Sequence, residues 1–432
     1  GPQTGGVAVI EIDREWTVAA APPAAPPRRS ARLAVLGLLA ALLLGGAGAP
    51  ARPLPPFASV ADSGRDTFEI IGNTLYVAEP EVGNQARLSA YRLSGEHAAR
   101  STVARRLWST LLPVPVGVLY PVVADGVLLG QAYRGPAGFA QVVAVDSGTG
   151  RILWRQDGEI DWVRGAAGQV IVGPGPGASR VRDLRLRTGE VLWSRAQWAG
   201  SAEATASPPT GGGDRVVLQV PPSGVEVLDA DTGEVRARAP VPPGLGLYVV
   251  GDQVLVPMRR NGSDVLAAYG LDRLAQRWLV PLPGPATFVS DCGALLCVTG
   301  IGVLTVLRPS DGGTPWPAGR WMSANPAGRY LLADGPDPAV LDAGTGTVRL
   351  RLAGWSWLRA SPDRGSRVLV RRGTPDGPLV FAVLDTSGAQ PRLHPVGPLA
   401  GARATPCAAA YGYLACRTLS GRIALWHYPS PT

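Results

Sequence analysis

Three histidines and four cysteines are the residues of this chain best suited to nucleophilic catalysis or metal binding. His97, His394 and His427 lie far apart in the sequence, and an isolated histidine in a β-rich protein is more often a surface or core residue. The chain contains no G-x-S-x-G nucleophile elbow, no Walker loop and no H-E-x-x-H metal motif. The sequence therefore predicts no catalytic residue, no metal site and no bound cofactor.

The cysteines form two close pairs, Cys292 with Cys297 and Cys407 with Cys416. A zinc site would join four ligands into one tetrahedral set, whereas these pairs are more than about a hundred residues apart. We therefore expect two local disulfides, each closing a hairpin inside one repeat. Disulfides form in oxidising compartments, so the cysteines favour an exported protein.

One apolar segment, 33–50, agrees with export. Seventeen residues from Leu33 to Ala49 carry no charge, and Arg28, Arg29 and Arg32 precede them. The positive-inside rule then predicts a cytoplasmic, largely disordered tail (1–32), a single-pass transmembrane signal anchor (33–50) and an exported remainder. A cleaved signal peptide is the alternative, although Pro50 follows the small residues that resemble a cleavage site.

Bulk composition limits the remaining possibilities. Of 432 residues, 56 are Gly and 42 are Pro, while an apolar content of 46% allows a large buried core. The net charge is +8, yet every basic residue is arginine, which is typical of a GC-rich genome such as that of an actinobacterium. Because arginines are not clustered with aromatic residues, nucleic-acid binding is not predicted.

A motif of about eleven residues recurs roughly every forty residues after a Pro-rich linker, 51–64. A short β-branched run ends in Asp, which begins a turn; Thr-Gly completes the reversal, and a second strand carries Trp. The residues that we assign to this structural repeat are Asp146, Thr149, Gly150, Trp154, Thr188, Gly189, Trp193, Thr232, Gly233, Trp278, Trp316, Thr345 and Gly346.

Each repeat is preceded by another apolar run, so that it supplies three short antiparallel strands, and a fourth is expected to complete each blade. Such units cannot bury both faces alone and stack radially, which predicts an all-β propeller over 65–432 with about eight blades, seven or nine being possible. The regular spacing of the tryptophans favours packing between adjacent blades over ligand binding.

The segment from Ala144 to Trp154 matches A-x-D-x-x-T-G-x-x-x-W throughout and resembles the PQQ-like (quinoprotein-type) β-propeller repeat. The resemblance covers about 65–428 and implies a propeller of one of two kinds. Quinoprotein dehydrogenases bind pyrroloquinoline quinone (PQQ) and calcium and carry adjacent cysteines, which this chain lacks. The other kind is similar to exported scaffolds of the BamB-like type in outer-membrane assembly, although the lipoprotein cysteine of that subunit is absent here.

These observations predict a membrane-anchored, extracytoplasmic propeller that is not an enzyme. It would serve as a protein-binding scaffold or ligand-sensing module of the cell envelope, with protein partners there. A PQQ-dependent oxidoreductase and a carbohydrate- or peptidoglycan-binding receptor remain as alternatives.

Overall fold

The structure is a computed structural model, and it describes residues 53–83, 85–93, 104–114, 116–134, 139–174, 180–196, 203–206, 213–220, 224–242, 246–317, 321–358, 367–373, 379–410 and 412–428. The predicted cytoplasmic tail (1–32) and signal anchor (33–50) lie outside these ranges. Among the described residues, no helix has the length and apolar character needed to cross a membrane.

The strands form nine consecutive antiparallel sheets, here called blades 1 to 9. Blade 1 comprises β2 (Thr67–Ile71), β3 (Thr74–Glu81), β4 (Gln85–Arg92) and β5 (Arg105–Leu112). Blade 2 comprises β6 (Val116–Ala124), β7 (Val127–Arg134), β8 (Phe139–Asp146) and β9 (Ile152–Asp157). Blade 3 comprises β10 (Glu159–Arg164), β11 (Gln169–Gly173), β12 (Arg180–Arg185) and β13 (Val191–Ala196). A 3-10 turn, Gly165–Ala167, joins β10 to β11.

Blade 4 comprises β14 (Glu203–Ala206), β15 (Arg215–Val220), β16 (Gly224–Asp229) and β17 (Val235–Ala239). Blade 5 comprises β18 (Tyr248–Val250), β19 (Gln253–Arg260), β20 (Ser263–Gly270) and β21 (Gln276–Pro281). Blade 6 comprises β22 (Ala286–Asp291), β23 (Leu296–Gly300) and β24 (Leu304–Leu307). Blade 7 comprises β25 (Ser323–Ala327), β26 (Tyr330–Asp334), β27 (Ala339–Asp342) and β28 (Val348–Arg351). Blade 8 comprises β29 (Trp355–Trp357), β30 (Arg367–Arg372), β31 (Val380–Asp385) and β32 (Arg392–Pro398). Blade 9 comprises β33 (Ala402–Ala410), β34 (Tyr413–Thr418), β35 (Arg422–His427) and, as its last strand, β1 (Ala58–Ala61).

The all-β propeller predicted from the repeat is confirmed, and the blade count is nine, one more than the central estimate of eight. The first strands of neighbouring blades lie beside one another, whereas the fourth strands are the most exposed. Successive side chains point to opposite faces of each strand, so every blade buries side chains against both neighbours. Leu88 and Leu112 of blade 1, for example, pack with Leu128 and Val143 of blade 2.

Chain connectivity defines two faces of the propeller. The lower face carries the turns that join first to second and third to fourth strands. The upper face carries the turns between second and third strands and the connections from one blade to the next.

Blade 6 differs from the others because its described residues form only three strands. The segment after β24 contains Pro315 and Pro317, which have no N–H to donate to a strand ladder. It still lies along β24, since the Leu304 N–H donates to the Trp321 carbonyl (2.7 Å) and the Arg308 N–H to the Gly313 carbonyl (2.8 Å).

Blade 9 is closed by β1, which pairs with β35 as its fourth strand. The expected linker, 51–64, is therefore partly a structural element of the propeller, because its run Ala58–Ala61 completes a sheet that otherwise ends at β35. Side-chain contacts on both sides of β1 add to this pairing. The buried Asp62 carboxylate pairs with Arg417, and the Trp426 Nε1 donates to the Leu54 carbonyl (3.0 Å).

Candidate functional site

The aspartate of each repeat is occupied by its own turn. Asp146 Oδ1 accepts hydrogen bonds from the Thr149 N–H (2.9 Å) and the Thr149 hydroxyl (2.8 Å), and these bonds lower the pKa of Asp146. The corresponding contacts recur between Asp229 and Thr232 and between Asp342 and Thr345. These carboxylates therefore act as turn-forming acceptors.

The second repeat has Arg185 in place of the aspartate. The Arg185 N–H donates to the Glu190 carbonyl (2.9 Å), and the Thr188 hydroxyl accepts a bond from the Glu190 N–H (3.3 Å). The turn is therefore retained without the carboxylate.

The tryptophans join consecutive blades on the lower face. In each case the indole Nε1 donates to a carbonyl in the third-to-fourth turn of the next blade. The pairs are Trp108 with Ser147 (2.9 Å), Trp154 with Leu186 (2.8 Å), Trp193 with Ala230 (2.8 Å), Trp278 with Pro309 (2.8 Å) and Trp316 with Ala343 (3.0 Å).

A glycine of the same turn lies against each ring. An ideal Cβ built on Gly189 would lie 2.6 Å from Cγ of Trp154, closer than real Cβ atoms approach other atoms. The same contact joins Trp108 to Gly150, Trp193 to Gly233, Trp278 to Gly312, and Trp316 to Gly346. The predicted repeat residues are thus spread over separate blade junctions and do not converge on one site.

At two blade junctions, other residues take the place of the tryptophan–glycine contact. Blade 4 has Ala237 at the tryptophan register, and the following turn in blade 5 has Leu274 instead of glycine, with φ +53° and 4% exposure. Leu274 packs in the cluster that Ala237 contacts, so it fills the volume of the missing ring. Between blades 7 and 8, the Tyr330 hydroxyl reaches the turn carbonyls of Gly388 (3.1 Å) and Ala389 (2.6 Å).

The cysteines lie in two different blades. Cys292 and Cys297 flank the turn between β22 and β23, with their Cα atoms 5.7 Å apart and their Sγ atoms at 2.00 Å. Cys407 and Cys416 are register partners on β33 and β34, with Cα atoms 4.1 Å apart and Sγ atoms at 2.17 Å. Both pairs are therefore at disulfide distance.

The remaining candidate ligands are dispersed. His97 lies outside the described residues, His427 packs against Phe57 and Tyr413, and His394 lies on β32. In the part of the chain that the structure describes, no three His, Cys, Asp or Glu side chains are grouped as a metal site. The cysteines pair within separate blades, so they do not supply the adjacent-cysteine feature of the quinoprotein dehydrogenases.

Sequence reasoning missed an ionic cluster around a buried arginine between blades 3 and 4. The Arg164 side chain is 4% exposed and contacts carboxylates of Asp214 (2.8 Å) and Asp231 (2.6 Å). Nearby Asp183, at the position that Ala144 occupies in blade 2, is fully buried, and among the described residues neither carboxylate oxygen has a partner at full hydrogen-bond geometry, although the Leu184 N–H also acts on this carboxyl. Burial raises the pKa of Asp183 to about 7, opposed by the charge of Arg164.

An exposed apolar surface on the upper face was also missed. Phe288 pairs with Thr299, Thr299 with Leu304, and Leu304 is bonded to Trp321, so the four residues form one row across blade 6.

Ile301 and Met322 lie just beyond this row at the upper end of the blade, because each follows a member of the row within two residues. Phe288, Ile301 and Met322 are 54%, 78% and 43% exposed. We call these three residues the blade 6 patch. A single exposed apolar residue carries no sequence signal, and only the pairing of the strands brings the three to one end.

Other strongly exposed apolar residues share this face. Val82 (94%) and Leu419 (66%) lie in second-to-third turns of blades 1 and 9. Tyr248 of blade 5 stacks edge-on against Phe288, with ring centroids 5.6 Å apart. The four most exposed large apolar side chains among the described residues therefore all belong to the upper face, where they are spread over blades 1, 6 and 9.

Comparison with known proteins agrees with the repeat pattern. A curated relative, the outer membrane protein assembly factor BamB of Bordetella pertussis, is 24% identical over 140 residues, which cover 29% of this chain and 34% of that protein. The matched region thus spans about a third of that relative.

Two solved structures also resemble the chain. BamB from Moraxella catarrhalis has 13% identity, covers 87% of this chain and 98% of its own, and has a TM-score of 0.41. The computationally designed Ika8 protein has 15% identity, covers 72% and 95%, and has a TM-score of 0.44.

The sequence match to the family model is the broader finding. The model described as outer membrane protein assembly factor BamB matches residues 84–316, which is more than half of the chain. The chain therefore belongs to this family of PQQ-like repeat proteins.

Proposed function

We propose that this protein is a membrane-anchored, extracytoplasmic scaffold that binds a protein partner in the cell envelope through the upper face of its propeller. The single observation that carries the proposal is the family match, whose description names an assembly factor. The fold supports it, because the residues of the repeat are used for turns and blade packing.

The blade 6 patch supplies the docking surface in this proposal. Interface cores are enriched in aromatic residues and methionine and depleted of charge. Phe288, Met322 and the adjoining Tyr248 fit that composition, and the turn from Gly300 to Val303 carries no charged residue. Phe288 is held by its contact with Tyr248, which lowers the entropy cost of ordering the ring on binding.

A photocrosslinking experiment tests the docking surface. A benzoylphenylalanine at position 288 or 301 should give one discrete protein adduct in envelope membranes of the producing cell. The matched control is the same probe at position 235, because Val235 is 41% exposed but lies on the outer strand of blade 4. Adducts of the same mass from all three positions, or none from 288 and 301, would contradict the proposal.

Charge substitution provides an independent measurement. Phe288→Asp and Ile301→Asp place a carboxylate on the apolar surface, which should weaken capture of the crosslinked partner by about tenfold or more, as expected for a residue central to an interface. Val235→Asp should leave capture unchanged. Unaltered melting temperatures in all three variants would separate lost binding from lost folding.

The anchored topology is tested separately. An N-terminal tag should be protected, and the propeller removed, when intact spheroplasts are treated with protease. A native protein whose N-terminus begins near residue 50 would instead indicate a cleaved signal peptide. The motivation remains the charge distribution around segment 33–50.

The enzyme alternative has a direct assay. Reconstitution with PQQ and calcium should give no dye-linked oxidation of alcohols or sugars, because the chain lacks the adjacent cysteines of the quinoprotein dehydrogenases. Robust turnover dependent on both additions would make the oxidoreductase the better assignment.

A further inference from the structure

A groove on the lower face of blade 8 is explained by the way the ring closes. At five junctions, a tryptophan that follows the third strand of one blade covers the turn after the third strand of the next blade. Among the described residues, no turn joins the third and fourth strands of blade 9, because its third strand is β35 and its fourth strand, β1, precedes blade 1 in the sequence. The equivalent position of blade 8 is His394, which pairs with Val383 as Trp154 pairs with Ala144.

The side of blade 8 that faces this gap is polar at its lower end. Val383 packs into the cluster shared with blade 9, and its register partner His394 lies on the same face. Asp385 and Arg392, two residues further along their strands, are also register partners on that face. Together with Ser387 and Gln390 they line a groove of about 690 Å3.

The groove contrasts with the junction of blades 4 and 5. There the missing tryptophan is compensated by an apolar side chain, Leu274, which is 4% exposed and closes the space. At blade 8 no described side chain fills the corresponding space, and the residues that line it are mostly polar. Within the described part of the chain, the side chains of Gln390 and Arg392 form no hydrogen bond or ion pair, so their donors face solvent.

The turn that forms one wall of the groove is held from behind. Tyr330 of blade 7 is fully buried and donates its hydroxyl hydrogen bond to the carbonyls of Gly388 (3.1 Å) and Ala389 (2.6 Å). Asp385 is fixed by the Ser387 N–H (2.8 Å) and hydroxyl (2.6 Å). A wall fixed in this way loses little conformational entropy when a ligand binds.

We propose that the groove formed by Asp385, Gln390, Arg392 and His394 binds a short neutral oligosaccharide. Sugar hydroxyls both donate and accept hydrogen bonds, and the groove offers a carboxylate acceptor, guanidinium donors, and an amide and an imidazole that do both. Asp385 and Arg392 carry opposite charges on one register pair, so the lining favours neither an anion nor a cation over a neutral ligand. The volume lies within the range of pockets that hold small ligands.

Calorimetry and ligand-observed NMR test this proposal. In both measurements the full chain is titrated with N,N′-diacetylchitobiose and with cellobiose. Binding of at least one disaccharide is expected. Arg392→Ala should weaken it about tenfold or more, since hydrogen bonds from a charged donor are among the stronger ones. His394→Trp should abolish binding by placing the indole of the other blades in the groove.

The matched control is Arg273→Ala, which removes an 86% exposed arginine from the corresponding turn of blade 5, where Leu274 fills the space. It should leave the affinity unchanged. If His394→Trp fails to fold, Arg392→Ala still decides the result, because Arg392 is exposed. Binding of neither disaccharide, binding of inorganic phosphate alone, or affinities unaffected by Arg392→Ala would overturn the proposal.

Discussion

The indole ring of Trp154 lies directly over Gly189 of the next blade, and its Nε1 donates to the carbonyl of Leu186 three residues earlier (2.8 Å). The packing of Trp154 therefore requires two features of the next blade: a carbonyl that accepts the indole hydrogen bond, and a residue without a Cβ under the ring. The glycine, which sequence analysis explained by the turn alone, is also required by the adjoining blade. This coupling links residues of different repeats.

Substitution at Gly189 should show that coupling. Gly189→Ala places a Cβ 2.6 Å from the ring at φ +70°, and we expect a loss of about 2–4 kcal/mol in the free energy of unfolding from backbone strain and overpacking. Gly168→Ala is the control, because Gly168 has a similar φ (+64°) but no atom within 4 Å. It should cost only about 1–2 kcal/mol. Equal losses in urea denaturation would show that the ring contact adds nothing.

We expect that the tryptophan–glycine contact can be introduced between blades 4 and 5 only when both of its positions are substituted together. Ala237→Trp alone should destabilise by about 1–3 kcal/mol, because Leu274 occupies the space. Leu274→Gly alone should cost about 2–5 kcal/mol by emptying it. The double variant should lose less than the sum of the two by more than about 1 kcal/mol. Simple additivity in thermal unfolding would contradict this account.

Asp183 should make the stability depend on pH. Its pKa is raised from 3.8 to about 7 in the folded protein, so the folded state holds a proton that the unfolded state releases. Stability therefore falls as the pH rises from about 4 to about 7 and stays lower above that range. The shift corresponds to roughly 4 kcal/mol at pH 8. Arg164 and Asp231 are the charged groups that act on this carboxyl.

Asp183→Ala is the matched substitution, since alanine occupies the same register in blades 2 and 5. The variant should melt at a higher temperature than the wild type at pH 8 and at a similar temperature near pH 4.5. The slope of its melting temperature against pH should be smaller than that of the wild type. A variant that is less stable than the wild type at pH 8 would show that the carboxylate has a compensating partner.

The cysteine pairs should act as two independent local disulfides. They close loops with sequence separations of 5 and 9, so each should contribute about 2–3 kcal/mol by restricting the unfolded chain. Replacing either pair by alanine should lower the unfolding midpoint without preventing folding. Peptide mapping under non-reducing conditions checks the pairing. A crosslink between the two regions, or four free thiols in exported protein, would be incompatible with it.

Much of the fold was predictable from the sequence because its determinants are local. The spacing of Asp146, Thr149, Gly150 and Trp154 defines a turn between two strands, and its recurrence defines a blade. Prolines at 315 and 317 could also have indicated the incomplete ladder of blade 6. The cysteine pairs were predictable for the same reason, since the sequence separations within them are only 5 and 9.

The remaining features were decided by contacts between distant residues. The closing strand is Ala58–Ala61, paired with β35 more than 350 residues later, and no local signal distinguishes it from a linker. The blade 6 patch, the buried carboxylate of Asp183 and the groove beside His394 likewise arise where separate strands meet. The sequence by itself determined the repeating unit, because turns and strand alternation depend on neighbouring residues. The tertiary structure alone decided the number of blades, the ring closure and the exposed surfaces, because burial depends on which blades pack together.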